Sequence, residues 1–206
     1  MELFGLLGSG GQSRETLSFE SKRNLAFIAL NKEYISEEDQ IDILTPDEQQ
    51  KRTPVIVAVG APAVKRKLVE EWSGDRFTNV ISPDAYVDKT VKIGVGCTIS
   101  PRTVLTTDVV IGDHVLINIA TTISHDCVIG DYTTISPGVH IGGRVRIGKG
   151  VFIGIGSVIS NNVTIADGVV VGAGAVLVDN ADVENGVYVG VPAKLINTNG
   201  GWLNEI

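Results

Sequence analysis

Three histidines and two cysteines are the residues of this chain best suited to proton transfer, metal binding or nucleophilic attack. His125 has the most suggestive neighbours, in the segment Ser124-His125-Asp126-Cys127. A carboxylate beside an imidazole can fix its tautomer and raise its basicity, which is what a general base needs. His114 and His140 read as exposed polar residues. Cys97 and Cys127 are too few for a disulfide framework or a zinc site, and read as small buried hydrophobes. A second kind of chemistry is offered near the N-terminus, where Gly8-Ser9-Gly10-Gly11-Gln12 follows the apolar run Leu3–Leu7. A glycine-rich turn between a strand and a helix can turn backbone N–H groups toward phosphate oxygens.

The elements that must carry these residues emerge from a repeat. From Ile81 through Leu177 every sixth residue is Ile, Val or Leu, seventeen positions without a break. The fourth residue after each is small or β-branched, as in Cys97, Thr103, Val139, Ser157 and Ala181. Residues 80–196 also hold 16 of the 24 glycines. This is the hexapeptide pattern of a parallel β-helix. Each hexapeptide makes a short strand and a corner, and three make a triangular coil. The aliphatic side chains stack inward, and the second inward position must be small because the triangle is narrow. Stacked about 4.8 Å apart, the coils form a column roughly 27 Å tall. Glycines after the key aliphatic, such as Gly112, Gly130 and Gly148, are expected at corners that need a positive φ.

The column interior is filled, so chemistry belongs on its outside. Ile123 and Cys127 take inward positions, which turns His125 outward. One coil later, 18 residues on, stands Gly143. A residue without a side chain there leaves room for a substrate and exposes a backbone N–H. The histidine spacings of 11 and 15 do not match the 18-residue coil, so no zinc site is expected.

Residues 1–79 have a different texture, with helical stretches alternating with short apolar runs. A strand near Leu25–Leu30 is followed by Asn31-Lys32, and a strand Val55–Val59 ends at Gly60. Pro62 then opens an amphipathic helix carrying Val64, Leu68, Val69 and Trp72. The expectation is a small Rossmann-like α/β domain of three or four parallel strands, with a ligand at their C-terminal edge. A dinucleotide fingerprint is incomplete: Ser13 stands where a third glycine belongs, and no acidic residue ends the second strand. Residues 197–206 form a C-terminal tail without an evident role.

Composition narrows the function further. With 43% hydrophobic residues a substantial core is expected. The net charge of -7 argues against sequence-independent grip on nucleic acid, which needs Lys and Arg against phosphates. No apolar run is long enough to span a bilayer and no signal peptide is evident, so the expected location is cytoplasmic.

The segment from Asn118 through Ser124-His125-Asp126-Cys127-Val128-Ile129-Gly130-Asp131 resembles the sialic-acid/sugar O-acyltransferase-like family of hexapeptide transferases. More narrowly, it is similar to bacterial nucleotide-sugar N-acetyltransferases of the bacillosamine and perosamine type. Gly190-Val191-Pro192-Ala193-Lys194 matches the C-terminal motif of that family, and Gly8-Ser9-Gly10-Gly11 its N-terminal turn. The resemblance implies a left-handed β-helix, a homotrimer, and acetyl-CoA or another acyl-CoA lying between neighbouring columns, with no metal. It implies His125 as general base, tuned by Asp126, and the Gly143 N–H meeting the thioester oxygen. Ile155 and Ala173 would line the pantetheine and adenine groove, with Lys194 near the coenzyme A phosphates. Gly10, Gly11, Gln12 and Gly60 would hold a nucleotide-linked sugar.

Two positions depart from the bacillosamine type. An Asp-Asp pair that contacts the nucleotide base is absent; the region reads Ala29-Leu30-Asn31-Lys32, where Asn31 can substitute. A second histidine near the thioester falls on Thr134. The expected reaction is N-acylation of the amino group of a nucleotide-linked amino-dideoxy sugar. O-acetylation of a sugar of the sialic-acid kind is the alternative. An ice-binding β-helix would need threonines repeating every 18 residues, but the Thr-Thr pairs at 106, 121 and 133 are spaced by 15 and 12. A pure nucleotide-sugar binder would leave His125-Asp126 and Gly190–Lys194 unused.

Overall fold

The structure, a computed structural model, describes residues 2–205. Met1 and Ile206, the outermost residues of the two terminal segments, lie outside the described residues.

The first unit is built from β1 (Glu2–Leu7), α1 (Gly11–Phe19), β2 (Arg23–Leu30), β3 (Gln40–Asp42), α2 (Glu48–Arg52), β4 (Val55–Val57) and α3 (Pro62–Glu71). Its four strands are all parallel, in the order β3-β2-β1-β4. The strand expected at Val55–Val59 is β4, fourth rather than third, because the short β3 falls where the sequence reads as loop. Leu7, Phe27, Val57 and Leu68 fill one side of the sheet, and Phe4, Leu6 and Ile56 the other. Pro62 takes the first helical position of α3, where its missing N–H costs nothing.

Seventeen two-residue strands follow at six-residue intervals, from β5 (Val80–Ile81) to β21 (Val176–Leu177). They form a left-handed parallel β-helix. Neighbouring coils pair 18 residues apart, as in Val110↔Val128 and Ile117↔Ile135. The first face begins with β5, the second with β6 (Tyr86–Val87) and the third with β7 (Lys92–Ile93). Both inward positions are buried as the period requires: Ile99 to Leu177 in the first set, Cys97 to Ala181 in the second. Each such Ile removed from water contributes about 1.5–3 kcal/mol before entropy is counted. The first, open coil is the exception: Ile81 is 36% exposed, and Val87 and Ile93 are half-buried. The column closes with the antiparallel pair β22 (Gly186–Gly190) and β23 (Ala193–Thr198), so the last strand runs two residues into the expected tail.

The glycines after the aliphatics have a different cause from the one expected. Positive φ falls two residues later, at positions such as Arg102, Asp108, Asp126, Tyr132, Arg144 and Asn162 as well as Gly96 and Gly150. Gly112 is needed for close approach instead: a Cβ there would meet the Asp131 backbone nitrogen at 2.9 Å. At this corner Asp131 Oδ1 accepts from the Asp113 N–H at 3.0 Å, and Asp113 Oδ1 from the Val95 N–H at 2.8 Å. The glycines let these carboxylates cross from coil to coil.

The two units pack against each other. Outward residues of the first face, including Thr98, Leu116 and Thr134, are buried under the α/β domain, whereas Val110, His140, Arg146 and Val158 on the other faces are exposed.

Candidate active site

His125 stands on the corner between the second and third faces. Asp126 follows in the left-handed conformation, φ 61°, which swings its short side chain back toward the ring. His125 Nδ1 lies 2.7 Å from Asp126 Oδ2. A carboxylate can only accept, so Nδ1–H donates, and in the neutral ring this leaves the lone pair on Nε2. The side chain is half exposed, at 48%. The ring lies across Gly143, where a Cβ would come within 2.7 Å of both Cε1 and Nε2. Among the described residues the Gly143 N–H donates to no acceptor. An imidazole with one nitrogen committed and one free thus sits on a bare stretch of main chain.

Ile155 and Ala173 lie together on a different corner, between the first and second faces, both exposed. Beside them Gly156 and Gly174 face open space. The result is a smooth edge with exposed aliphatic surface. Lys194 is farther along, on β23, in an exposed ion pair with Asp179 at 3.7 Å.

A cleft of about 450 Å³ opens at the C-terminal edge of the α/β sheet, lined by Gly10, Gly11, Gln12, Gly60, Ala61 and Asn204 among others. The four residues expected to hold a nucleotide-sugar therefore share one cavity. Gly8 makes the tight turn, at φ 107°. Gly10 does not: its φ is -75° and a Cβ there meets nothing within 4 Å. The fold therefore does not require glycine at position 10. Asn118 of the column donates to Gln12 Oε1 at 3.2 Å, while the Gln12 side-chain nitrogen is buried without an acceptor. Asn31 lines a separate cleft with Lys32, Glu33, Leu44 and Glu71 and is not brought into the first.

Thr134 is buried rather than open to an acyl group. Its hydroxyl donates to Gly60 O at 2.6 Å and accepts from Lys65 Nζ at 2.9 Å. Lys65 is fully buried at the junction and also reaches Thr133 O and Tyr132 O, at 3.3 and 3.4 Å. Burial pushes its ammonium down to about 7. Nothing in the sequence separated Lys65 from the exposed Arg66 and Lys67 beside it. His114, expected on the surface, is also buried here. It is edge-on to Phe77 and stacked on Tyr132, with centroids 4.6 and 5.2 Å apart, and burial lowers its pKa. Gly96 leaves the space its ring occupies. His140 is exposed as expected, with Nδ1 2.9 Å from Thr122 Oγ1.

Comparison with known proteins extends this picture. A family model described as the GMPPB C-terminal domain matches residues 81–177. No curated protein matches the chain. Among solved structures, the acetyltransferase domain of PglB from Neisseria gonorrhoeae is 27% identical, with a TM-score of 0.82 over 95% of this chain and 100% of that one. WeeI from Acinetobacter baumannii is 26% identical, with a TM-score of 0.80 over 95% and 100%. A histidine variant of perosamine N-acetyltransferase from Caulobacter crescentus is 24% identical, with a TM-score of 0.84 over 96% and 97%. The chain is a hexapeptide-repeat acyltransferase.

Neither thiol of this acyltransferase is placed to attack a thioester. Cys97 and Cys127 face the column interior, and burial pushes Cys97 up to about 11 and raises Cys127 as well. Among the described residues no group of three or more His, Cys, Asp or Glu converges on a metal position. No helix of the structure is long and apolar enough to cross a membrane.

Proposed function

We propose that this acyltransferase moves an acetyl group from coenzyme A to the amino group of a nucleotide-linked amino-dideoxy sugar, with His125 as general base. The observation that carries the reading is the His125–Asp126 pair lying over Gly143. The acceptor nitrogen attacks the thioester carbon, and His125 Nε2 takes the proton it loses. Negative charge gathers on the carbonyl oxygen, and the free Gly143 N–H supplies a fixed donor for it. The carbon–sulfur bond then breaks, and the departing thiolate takes the proton from His125. Asp126 holds the ring in the tautomer this requires.

The partners follow from related proteins. The gonococcal PglB domain has been solved with acetyl coenzyme A, and perosamine N-acetyltransferase with CoA and GDP-perosamine. In this chain the acceptor's diphosphate lies against the N-terminus of α1, at Gly10, Gly11 and Gln12, with Gly60 opposite. Its base extends along the sheet edge toward Asn31. Ile155 and Ala173 receive pantetheine and adenine, and Lys194 approaches the coenzyme A phosphates.

The functional unit is a homotrimer, working in the cytoplasm. Asn118, which meets Gln12 at the cleft, is on the corner between the first and second faces, as are Ile155 and Ala173. His125 and Gly143 are on the next corner, about six residues of extended chain or roughly 20 Å away. One cleft therefore works with the histidine of a neighbouring copy.

The test is acetyl transfer from acetyl-CoA to GDP-, UDP- and dTDP-linked amino-dideoxy sugars, with their hydroxy-sugar counterparts beside them. One amino-sugar series should be acetylated and should raise Tm in proportion to concentration over Kd. Transfer only to the hydroxyl series would replace N- by O-acylation, and transfer to neither would refute the proposal.

A further inference from the structure

After β23 the chain turns back and runs from the far coils to the α/β domain. The Asn199 N–H donates to Asn185 O at 2.8 Å, and the Ala63 N–H in the first turn of α3 donates to Leu203 O at 3.1 Å. Between these bonds Trp202 is wedged against the column. Arg66 lies over its ring at 4.6 Å, and Tyr132 tilts against it with centroids 5.9 Å apart. Its seat is the corner at Gly150 and Gly168, where a Cβ at either position would strike the indole. Two glycines, an arginine and a tyrosine from separate elements thus converge on one residue of a segment that no other function explains. The next side chain but one, Asn204, lines the same cleft as Gly10, Gly11, Gln12 and Gly60.

We propose that residues 199–205 form a wall of the acceptor cleft, with Trp202 as its anchor and Asn204 as a specificity-determining contact to the nucleotide-linked acceptor. This rests on the reading of the cleft given above. The Asn204 amide carries both donors and acceptors, which suits a ligand with phosphate oxygens and sugar hydroxyls. The cleft is remote from the corner that holds Ile155, Ala173 and the neighbour's histidine only in sequence; its contact is with the acceptor, so Asn204 acts on acceptor binding and not on the thioester. Trp202 does not line this cleft and is a positioning residue.

The test is steady-state kinetics of Asn204→Ala and Trp202→Ala with acetyl-CoA and GDP-, UDP- and dTDP-linked amino-dideoxy sugars. Loss of one hydrogen bond made equally in ground and transition states raises KM alone. Asn204→Ala should raise the acceptor KM about ten-fold, with kcat and the acetyl-CoA KM within about two-fold of wild type. Trp202→Ala should raise the acceptor KM in the same way. An unchanged acceptor KM in Asn204→Ala, or an equal rise in the acetyl-CoA KM, overturns the proposal while leaving the acyltransferase reading intact. A wild-type protein that acylates none of these sugars overturns both.

Discussion

At the scale of single residues, the site depends on one side chain that is missing. Gly143 has no Cβ, and His125 uses the space. The ring is half exposed, so a methyl group at 143 would push it off Asp126 without disturbing the packed interior. Gly143→Ala should therefore lower kcat roughly 10- to 100-fold, the cost of an ångström of misplacement, with Tm nearly unchanged. A Tm loss matching the activity loss would mean that Gly143 serves the fold instead. Both residues were legible in sequence because the six-residue period fixes which side chains face out and which lie one coil apart. Lys65 was not, because nothing local separates it from the exposed Arg66 and Lys67 on the same helix, and His114 was not, because the period says only that a side chain leaves the column. It does not say that another domain covers that face. Thr134 was misread for the same reason: its hydroxyl is bound by Gly60 and Lys65.

At the scale of elements, α3 joins the cleft at Gly10–Gln12 to the column through Lys65. Burial holds its folded pKa near 7, against an ordinary value of 10.5. Between these values the unfolded chain keeps a proton that the folded chain has released. This group's contribution to stability therefore rises as pH climbs from 7 toward 10.5, by up to about 1.4 kcal/mol per pH unit, and is absent below 7. Urea unfolding of wild type and Lys65→Met across pH 7 to 9 checks this. The wild-type midpoint should climb relative to that of the variant; parallel curves would show that the three oxygen acceptors keep Lys65 charged. The period also revealed the column's strands, yet it misassigned the reason for the glycines. Left-handed corners accept Arg, Asp, Tyr and Asn, while carboxylates crossing between coils demand glycine at Gly112. The short β3 was missed because three residues carry too little pattern to register.

At the scale of the whole molecule, the three-sided column separates the parts of the site. The cleft at Gly10–Gln12 and the Ile155–Ala173 edge share one corner, and His125, the proposed base, occupies the next. In the proposed homotrimer, a threefold axis would bring the second corner of one chain to the first corner of its neighbour. Sequence could supply each corner, but the path of the tail depends on contacts such as Trp202 on Gly150, which no local pattern encodes. The most direct measurement is co-expression of two differently tagged inactive forms. One carries His125→Asn. The other carries Gly10→Trp, which fills the cleft from a position where the fold leaves open space. Mixed trimers isolated through both tags should recover acetyl transfer, about one third of the wild-type rate, because each such ring holds one interface of three at which an intact cleft meets an intact histidine. Mixed trimers no more active than either parent would contradict a site shared between copies.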